Sequence, residues 1–285
     1  MNRNILSPYV RVAMYSSLQK NFIISERVIF DFELIYVSGG ECEVSFDGVP
    51  YICKKGDAVL IPPGVHHKFT VGDNGFVQPH IHFDPVYTEK SEIRSVSFKP
   101  RSKMNDDEIS LIQENIFSEI GIPYVFTPCD PQRFSAAFFS VVDSYLEKKS
   151  GYELECKARM LNLIAIILEQ FDQARGSGGD MGPIAAVKNY IDNNYLQLIN
   201  LDMLEKQFYI NKFTLMRNFK KIYRVNIIEY YRTKRTNFAK KALKTTATPV
   251  GDIAEALHFT DIYSFSRFFK MQTGMPPSAY REKSR

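Results

Sequence analysis

The chain has 285 residues, of which 45% are hydrophobic and 24% charged, and its formal net charge is +4. This hydrophobic fraction can form a packed core, which excludes a wholly disordered chain, and the length predicts about two domains. No stretch approaches the roughly 20 apolar residues of a membrane span, and the first residues lack the apolar core of a secretory signal. We therefore expect a cytoplasmic protein with no membrane partner.

The cysteines support the same expectation. Cys42, Cys53, Cys129 and Cys156 contain no C-x-x-C pair and no zinc-finger spacing. In a chain of this length they are typical of reduced, mostly buried thiols.

The charge is divided unevenly along the chain. Residues 1–183 contain 18 Lys and Arg and 24 Asp and Glu, a balance of −6, whereas residues 184–285 contain 18 and 8, a balance of +10. The glycine-rich segment ARGSGGDMGP separates the two regions. We predict a domain over 1–173, a linker over 174–183 and a domain over 184–285. The basic domain indicates a polyanionic partner, although a solvated basic face would give the same count.

Residues 20–100 alternate short β-rich runs with Gly and Pro turns. The predicted strands are 33–37, 42–46, 51–53, 58–61, 66–70 and 76–83. This spacing is typical of an antiparallel barrel or sandwich.

Two motifs in this region resemble the cupin family. The run GDAVLIPPGVHH has Gly56, Pro62, Gly64 and His67 in the register of the second cupin motif, and ELIYVSGGECEVSFDG, which starts at Glu33, resembles the first-motif region. The resemblance implies a cupin-like β-barrel. Cupin enzymes hold a metal with a His-x-His pair ahead of the first-motif glutamate, and the four residues before Glu33 contain no histidine. We therefore predict no such metal site.

The histidines cluster in the same region, at positions 66, 67, 80 and 82. In the predicted strand 76–83, alternation places Gln78, His80 and His82 on one face and Val77, Ile81 and Phe83 on the other. An inward polar face would suit a hydroxyl-rich small ligand. The candidate ligand-binding residues are then Glu33, His67, Gln78, His80 and His82.

Two other interpretations of the histidines stay open. Val77, Ile81 and Phe83 would form the core if the histidines faced solvent. A metal bound by His67, His80 and His82 is chemically feasible. Our prediction includes no metal and no cofactor, and because no nucleophile–base set is visible, we predict no enzyme.

Helical periodicity follows over 105–173, with predicted helices at 106–120, 131–149 and 154–173. The third helix has an apolar band that is wider than one stripe: Met160, Leu161, Leu163, Ile164, Ile167 and Leu168. This band favours burial against the barrel.

The basic domain contains an internal repeat at an offset of 50 residues, in which RNFK at 217–220 matches RFFK at 267–270. Each copy is predicted as two short helices joined by a turn, at 201–208 and 212–222 and at 250–257 and 262–272. The connecting segment 226–244 contains no Gly or Pro and predicts one helix of about 28 Å, close to the ~34 Å of one DNA turn. The domain is therefore predicted to place two helices into successive major grooves.

The segment RTKRTNFAKKALKTTATPVGDIAEALHFTDIYSFSRFFKMQTGMPPSAYR resembles the DNA-binding signature of the AraC/XylS family of bacterial transcription regulators. Matching positions include Arg235, Ala239, Leu243, Val250, Ile253, Ala254, Phe259, Asp261, Phe265, Ser266, Arg267, Phe269, Lys270, Gly274, Pro277, Tyr280 and Arg281. The sequence departs from the family pattern at Arg224 and His258, where the family usually has glycine.

This resemblance implies a multi-domain α+β chain: an N-terminal cupin-like β-barrel with flanking helices and a C-terminal all-α domain of two helix-turn-helix units. The residues implied to contact double-stranded DNA are Lys212, Phe213, Met216, Arg217, Ile262, Tyr263, Ser264 and Arg267. The resemblance also implies a small-molecule effector, a sugar or sugar derivative, and a homodimer in which part of the apolar band of the third helix meets the partner subunit while the rest packs on its own chain. It further implies RNA polymerase as partner, gene activation, and a cytoplasmic location on the nucleoid.

We thus expect a ligand-responsive regulator of carbohydrate uptake or metabolism genes. Two alternatives are a constitutive regulator whose cupin domain only dimerises, and a metal-dependent cupin enzyme fused to a DNA-binding unit.

Overall fold

The computed structural model describes residues 2–118, 120–176, 181–208 and 210–284. The chain divides into two compact units, the first mainly Met1–Phe46 and Pro50–Gly182, and the second mainly Pro183–Lys221 and Val225–Arg285. Of the predicted linker, residues 177–180 lie outside the described residues, so the linker stays a prediction. Among the helices that the structure describes, none is long and apolar enough to cross a bilayer.

The described strands of the first unit form two antiparallel sheets. The first sheet has the order β1-β9-β4-β7-β10, with β1 at Tyr9–Met14, β4 at Phe32–Tyr36, β7 at Ala58–Ile61, β9 at His80–Asp84 and β10 at Val125–Phe126. The second has the order β2-β8-β5-β6, with β2 at Ser17–Leu18, β5 at Gly39–Phe46, β6 at Val49–Lys54 and β8 at His67–Val77, and β3 (Ile23–Arg27) also pairs with β8.

This architecture confirms the cupin-like β-rich domain, with two differences. Within the described residues the strands pair as two sheets and do not close into one ring. Strands β1, β2 and β10 lie outside the predicted limits of 20–100.

The prediction of one strand over 76–83 is wrong. Strand β8 ends at Val77 and β9 begins at His80. Pro79 has no backbone N–H to donate to a strand ladder, and the Gln78 N–H donates instead to the Ser16 carbonyl at 2.9 Å. The polypeptide therefore changes sheets between these two strands.

Both faces of the first sheet are buried. One face packs on helices α3 (Pro131–Glu147) and α4 (Tyr152–Gly176). The core they share includes Phe32, Leu34, Ile81, Phe83, Phe134, Phe138, Leu163 and Ile167. Because strand side chains alternate between faces, Glu33, His80 and His82 lie on the opposite face. The two interpretations of β9 are thus each partly right: Ile81 and Phe83 form core, and the histidines are withdrawn from solvent, while Val77 is 43% exposed.

The shorter helices of the first unit are α1 (Glu89–Ile93) and α2 (Asp106–Ser110). The predicted helix 106–120 is wrong beyond Ser110. Asn105 and Glu108 form a capping box that starts α2. After Leu111 the backbone turns away from the helix. The Gln113 N–H donates to the Phe30 carbonyl at 2.9 Å, and this bond replaces the next helical hydrogen bond.

The predictions for α3 and α4 are confirmed to within three residues. Met160, Leu163, Ile164, Ile167 and Leu168 of the apolar band are all buried in the core of their own unit. The band therefore contributes to the fold of the chain, and the homodimer surface stays a prediction.

The described helices of the second unit follow the predicted repeat. They are α5 (Met181–Asn194), α6 (Leu201–Phe208), α7 (Lys212–Tyr223), α8 (Ile227–Thr245), α9 (Val250–Ala256), α10 (Ile262–Thr273) and α11 (Pro277–Ser284). Asn226 and Asp261 cap α8 and α10 by accepting from the Ile228 and Ser264 N–H groups. Gly274 ends α10 at φ +81°, the left-handed conformation that favours glycine.

The two residues that depart from the family pattern, Arg224 and His258, have left-handed backbone conformations. Arg224, after α7, has φ +59°, and His258, after α9, has φ +51°. Both turns therefore keep the geometry that glycine normally supplies, although their side chains make it less favourable.

Candidate functional site

The first sheet brings Glu33, His80 and His82 together in the interior of the β-domain. Glu33 on β4 is the register partner of His82 on β9. His80 pairs with Ile35, which lies two residues after Glu33 on the same strand. Each of the three side chains offers one ligand atom within 4.8 Å of the other two. Glu33 Oε1 lies 3.7 Å from His82 Nε2. Three of the five predicted ligand-binding residues thus form one cluster.

His67 reaches this cluster from the other sheet through a residue that the sequence did not single out. Arg27 and His67 are register partners on β3 and β8. Arg27 Nε donates to His67 Nε2 at 3.0 Å, and Arg27 Nη2 donates to Glu33 Oε2 at 3.4 Å. Arg27 is buried at 7% exposure. The guanidinium therefore links the histidine of the second cupin motif to the glutamate of the first.

Gln78 has a buried side chain, but it stands apart from the cluster. Its carbonyl accepts from Ser16 Oγ at 2.8 Å and from His80 Nδ1 at 3.2 Å. Among the described residues, the amide side chain of Gln78 forms no hydrogen bond with Glu33 or with the histidines. Gln78 thus positions His80 through its backbone.

A second layer of buried charges supports the cluster from behind. His82 Nδ1 contacts Asp31 Oδ1 at 3.1 Å, and Asp31 Oδ2 accepts from Arg11 Nε at 3.0 Å. Arg11 Nη2 also donates to Asp84 Oδ1 at 2.7 Å, and Arg94 Nη1 donates to Asp84 Oδ2 at 2.5 Å. Pairing of every charge makes burial of this network tolerable. These residues were missed because they lie up to 83 positions apart in sequence.

The buried charges set the protonation of the cluster. Burial would raise the pKa of Glu33, but His82 and Arg27 lower it to about 2. Burial and the Arg27 guanidinium lower the pKa of His67 to about 4, and burial also lowers the pKa of His80. For His82, burial is outweighed by the carboxylates of Glu33 and Asp31, which raise its pKa. The cluster therefore presents a carboxylate and a neutral imidazole at neutral pH.

A cavity of about 390 Å³ in the first unit lies elsewhere, on α4. It is lined by Arg3, Leu6, Leu161, Ile164, Ala165, Leu168, Glu169 and Asp172. Its lining combines aliphatic side chains with the charged groups of Arg3, Glu169 and Asp172, and none of the five predicted ligand-binding residues is among them.

Helices α7 and α10 present the side chains predicted to contact DNA. Their inner faces bury Leu215 and Phe219 in α7, and Phe265 and Phe269 in α10. On the outer faces Phe213 is 68% exposed and Tyr263 is 80% exposed. Ile262, Ser264, Arg217 and Arg267 are exposed as well, whereas Lys212 and Met216 are half-buried. Such large apolar side chains on an outer face contribute nothing to this unit's core.

The hydrogen bonds on these faces distinguish the polar residues. Lys212 Nζ pairs with Asp202 Oδ1 at 2.9 Å, and Ser264 Oγ donates to the capping residue Asp261 at 2.9 Å. Arg217 and Arg267 form no ion pair with any carboxylate among the described residues. The two arginines thus keep their full set of donors for an external partner.

Arg235 occupies a different position, at the centre of the second unit. Its side chain is 3% exposed and donates to the carbonyls of Gln197 (3.2 Å) and Leu257, the residue that follows α9. The guanidinium also lies 4.8 Å from the centre of the Phe259 ring. Arg235 therefore ties α8 to the turn that precedes α10.

Comparisons with known proteins agree with this division. The model of the AraC-like ligand binding domain matches residues 19–164, and a helix-turn-helix domain model matches residues 204–283.

Individual relatives match either the second unit or most of the chain. The bifunctional transcriptional activator/DNA repair enzyme AdaA of Bacillus subtilis is 31% identical over 99 residues, which cover 35% of this chain and about half (47%) of that relative. The uncharacterized HTH-type transcriptional regulator YdiP of Escherichia coli is 23% identical over 88% of this chain and 78% of its own. Among solved structures, an apo ToxT variant of Vibrio cholerae covers 98% of both chains at 14% identity and a TM-score of 0.36.

The first model spans half of the chain and the second covers the repeated helical unit. The chain therefore belongs to the AraC family of DNA-binding transcription regulators, with a ligand-binding domain followed by a helix-turn-helix domain.

Proposed function

We propose that this regulator reads two successive major grooves of its operator with α7 and α10. The observation that carries the proposal is the pair of outer faces on which Arg217 and Arg267 stand exposed without an ion-pair partner among the described residues. Arginine commonly contacts guanine through two hydrogen bonds, and an exposed helix of this kind fits the major groove. Helix α8, with 19 residues, spans about 28 Å and separates the two reading helices by close to one DNA turn.

The remaining residues of these two outer faces also contact the operator. Lys212, Phe213 and Met216 contribute to the first half-site, and Ile262, Tyr263 and Ser264 to the second. Exposed Phe213 and Tyr263 suit apolar contact with thymine methyl groups. Lys220, Lys221 and Lys270, which lie at the ends of the same helices, suit phosphate contacts that fix register.

The effector is a small polar molecule bound at the cluster of Glu33, His67, His80 and His82. A sugar or sugar derivative is the class that the family resemblance favours, because its hydroxyl groups match the carboxylate, imidazole and guanidinium groups of the interior. Its binding changes DNA affinity only if the two states of the regulator bind it unequally. We further propose a cytoplasmic homodimer that activates carbohydrate genes through RNA polymerase.

The DNA part of the proposal is tested by selecting binding sites for the full chain from a random duplex library. We expect a recovered site with two conserved blocks one helical turn apart, and an affinity that falls steeply with salt. Conserved blocks at another spacing, or an affinity insensitive to salt, would contradict the proposed docking.

The effector part is tested by thermal denaturation with a panel of mono- and disaccharides. One class of sugar should raise the melting temperature of the wild type and of His66→Gln, but not of His80→Gln. If no sugar stabilises the wild type, the β-domain of this regulator does not sense carbohydrate.

A further inference from the structure

We infer that Glu33, His80 and His82 bind a divalent first-row transition metal, so that the effector site is a metal site. This inference deepens the effector role proposed above and depends on that role for its biological meaning, although the metal itself can be measured separately. Sequence comparison with cupin enzymes argues against a metal, because the His-x-His pair ahead of Glu33 is missing. The structure supplies such a pair, His80-x-His82, on the strand β9 that lies beside Glu33.

The three candidate ligands have the donor chemistry of a metal site, and their ligand atoms lie close together. Their ligand atoms all lie within 4.8 Å of one another, and Glu33 Oε1 lies 3.7 Å from His82 Nε2. In a tetrahedral site with bonds of 2.0–2.1 Å, neighbouring ligand atoms are about 3.3 Å apart. A contraction of a few tenths of an ångström at this pair would therefore place both atoms on one ion. Two imidazoles and one carboxylate suit zinc, iron, cobalt or nickel in their divalent states.

Both histidines already have the outer partners that metal ligands usually have. His82 Nδ1 faces the Asp31 carboxylate at 3.1 Å. His80 Nδ1 faces Ser16 Oγ at 3.1 Å and the Gln78 carbonyl at 3.2 Å. Such acceptors hold the proton on Nδ1 and leave Nε2 to the metal. An ion bound to the unprotonated Nε2 of His82 would complete a carboxylate–histidine–metal chain that starts at Asp31.

Arg27 determines which groups of the cluster can take part. It donates to His67 Nε2 at 3.0 Å, and His67 Nδ1 contacts the Val65 carbonyl at 3.0 Å, so both ring nitrogens of His67 are engaged. Arg27 also holds Oε2 of Glu33, which leaves Oε1 for the ion. The structure thus selects three protein ligands and excludes the histidine of the second cupin motif. Three ligands leave a coordination position open for a small effector.

The test uses the full untagged chain, since a polyhistidine tag would bind metal. After chelator treatment and dialysis, the protein is titrated with Co²⁺ or Zn²⁺ by calorimetry, and Co²⁺ binding is also followed by visible absorption. We expect one ion per chain. Glu33→Gln and His80→Gln should each weaken metal binding at least about 10-fold. Loss of a group that only supports a metal ligand already weakens metal affinity by about 10-fold or more, so loss of a ligand itself should cost no less. His66→Gln, which removes the histidine next to His67, is the matched control and should bind like the wild type.

Three results would overturn the inference: no stoichiometric ion on the wild type, unchanged binding by both variants, or equal loss in His66→Gln. Circular dichroism and DNA binding verify that the variants are folded. If they are not, X-ray absorption of the wild type with zinc decides, because the inference requires two imidazoles and one carboxylate oxygen. Operator binding without any metal uptake would reject this inference and leave the regulator assignment intact, whereas metal uptake without operator binding would do the reverse.

Discussion

Three buried arginines of the first unit and two exposed arginines of the second differ in whether they have a partner. In the first unit, Arg11, Arg27 and Arg94 have side chains that are 7%, 9% and 6% exposed, and each forms an ion pair with a buried carboxylate. In the second unit, Arg217 and Arg267 are exposed, and neither has such a partner among the described residues. Pairing and burial make a guanidinium part of the fold, whereas exposure without a partner leaves it available to a polyanion. Position, and not residue type, separates the paired, buried arginines from those that we propose contact DNA.

The largest effect should come from breaking the buried network. Asp84 accepts from both Arg11 and Arg94 and is fully buried. Asp84→Asn keeps the shape of the side chain but leaves two buried guanidinium groups without their shared anion. We expect the free energy of unfolding to fall by about 3–5 kcal/mol, measured by urea denaturation.

An exposed pair provides the matched control for Asp84. Glu155 and Arg159 form an i,i+4 pair on α4, with side chains 45% and 40% exposed. Glu155→Gln should change the free energy of unfolding by less than about 0.5 kcal/mol. Equal effects of the two substitutions would show that burial does not govern these charges.

The next effect concerns pH and His67. Its pKa is about 4 in the folded chain, against an ordinary value near 6.5. Below pH 6.5 the His67 imidazole is protonated in the unfolded chain but stays neutral in the folded chain. This difference lowers the free energy of unfolding as the pH falls to about 4. The groups that face His67, namely Arg27, Glu33 and His82, remain in place in a His67→Gln chain.

The stability difference between wild type and His67→Gln should therefore shrink on acidification. From pH 7.5 to pH 5, we expect a loss of about 2 kcal/mol for wild type relative to the variant, at about 1.36 kcal/mol per pKa unit. Urea denaturation at several pH values measures this difference, and His66→Gln is the control that should follow the wild type. If the stability difference between wild type and His67→Gln does not change with pH, burial does not lower the pKa of His67 and the prediction is wrong.

The success of sequence-based prediction also differs between the two units. In the second unit, periodicity, capping residues and the internal repeat predict α6 to α10 to within a few residues. Such helices depend on contacts between residues three or four positions apart. The exposed outer faces were predictable as well, because the buried positions of each helix identify the face that remains.

The first unit was less predictable, because its decisive contacts are long-range. Glu33, His67, His80 and His82 were candidates from composition and motif, but Arg27 and Asp31 gave no local signal, since their burial depends on which strands become neighbours. The strand break at Pro79 could have been anticipated from the proline. The helix end at Ser110 could not, because the bond from Gln113 to Phe30 that replaces the next turn crosses 83 positions.

A third comparison separates two cations on α10, one of the two helices that we propose contact DNA. Arg267 is exposed on the outer face of α10, and Lys270 is exposed one turn later, near the helix end. Arg267→Ala should cost about 1–3 kcal/mol of operator affinity and relax sequence preference at one position. Lys270→Ala should weaken binding to all sequences alike and reduce the salt slope by about one.

Fluorescence anisotropy with the selected operator and single-base variants measures both substitutions of α10. Thermal denaturation should show no change for either chain, since neither side chain is buried. If Arg267→Ala lowers affinity for all base variants equally, Arg267 contacts phosphate and the base-reading assignment for α10 is wrong.

The smallest effect concerns the left-handed backbone of the repeat. Arg224 and His258 hold φ values of +59° and +51°, which cost an L-residue roughly 1–2 kcal/mol relative to glycine. Because glycine also loses more backbone entropy on folding, His258→Gly should raise the free energy of unfolding by only about 0.5–1 kcal/mol. Gly274→Ala, at φ +81°, is the opposite control and should destabilise. If His258→Gly does not raise the free energy of unfolding, the imidazole has a contact that offsets the backbone strain.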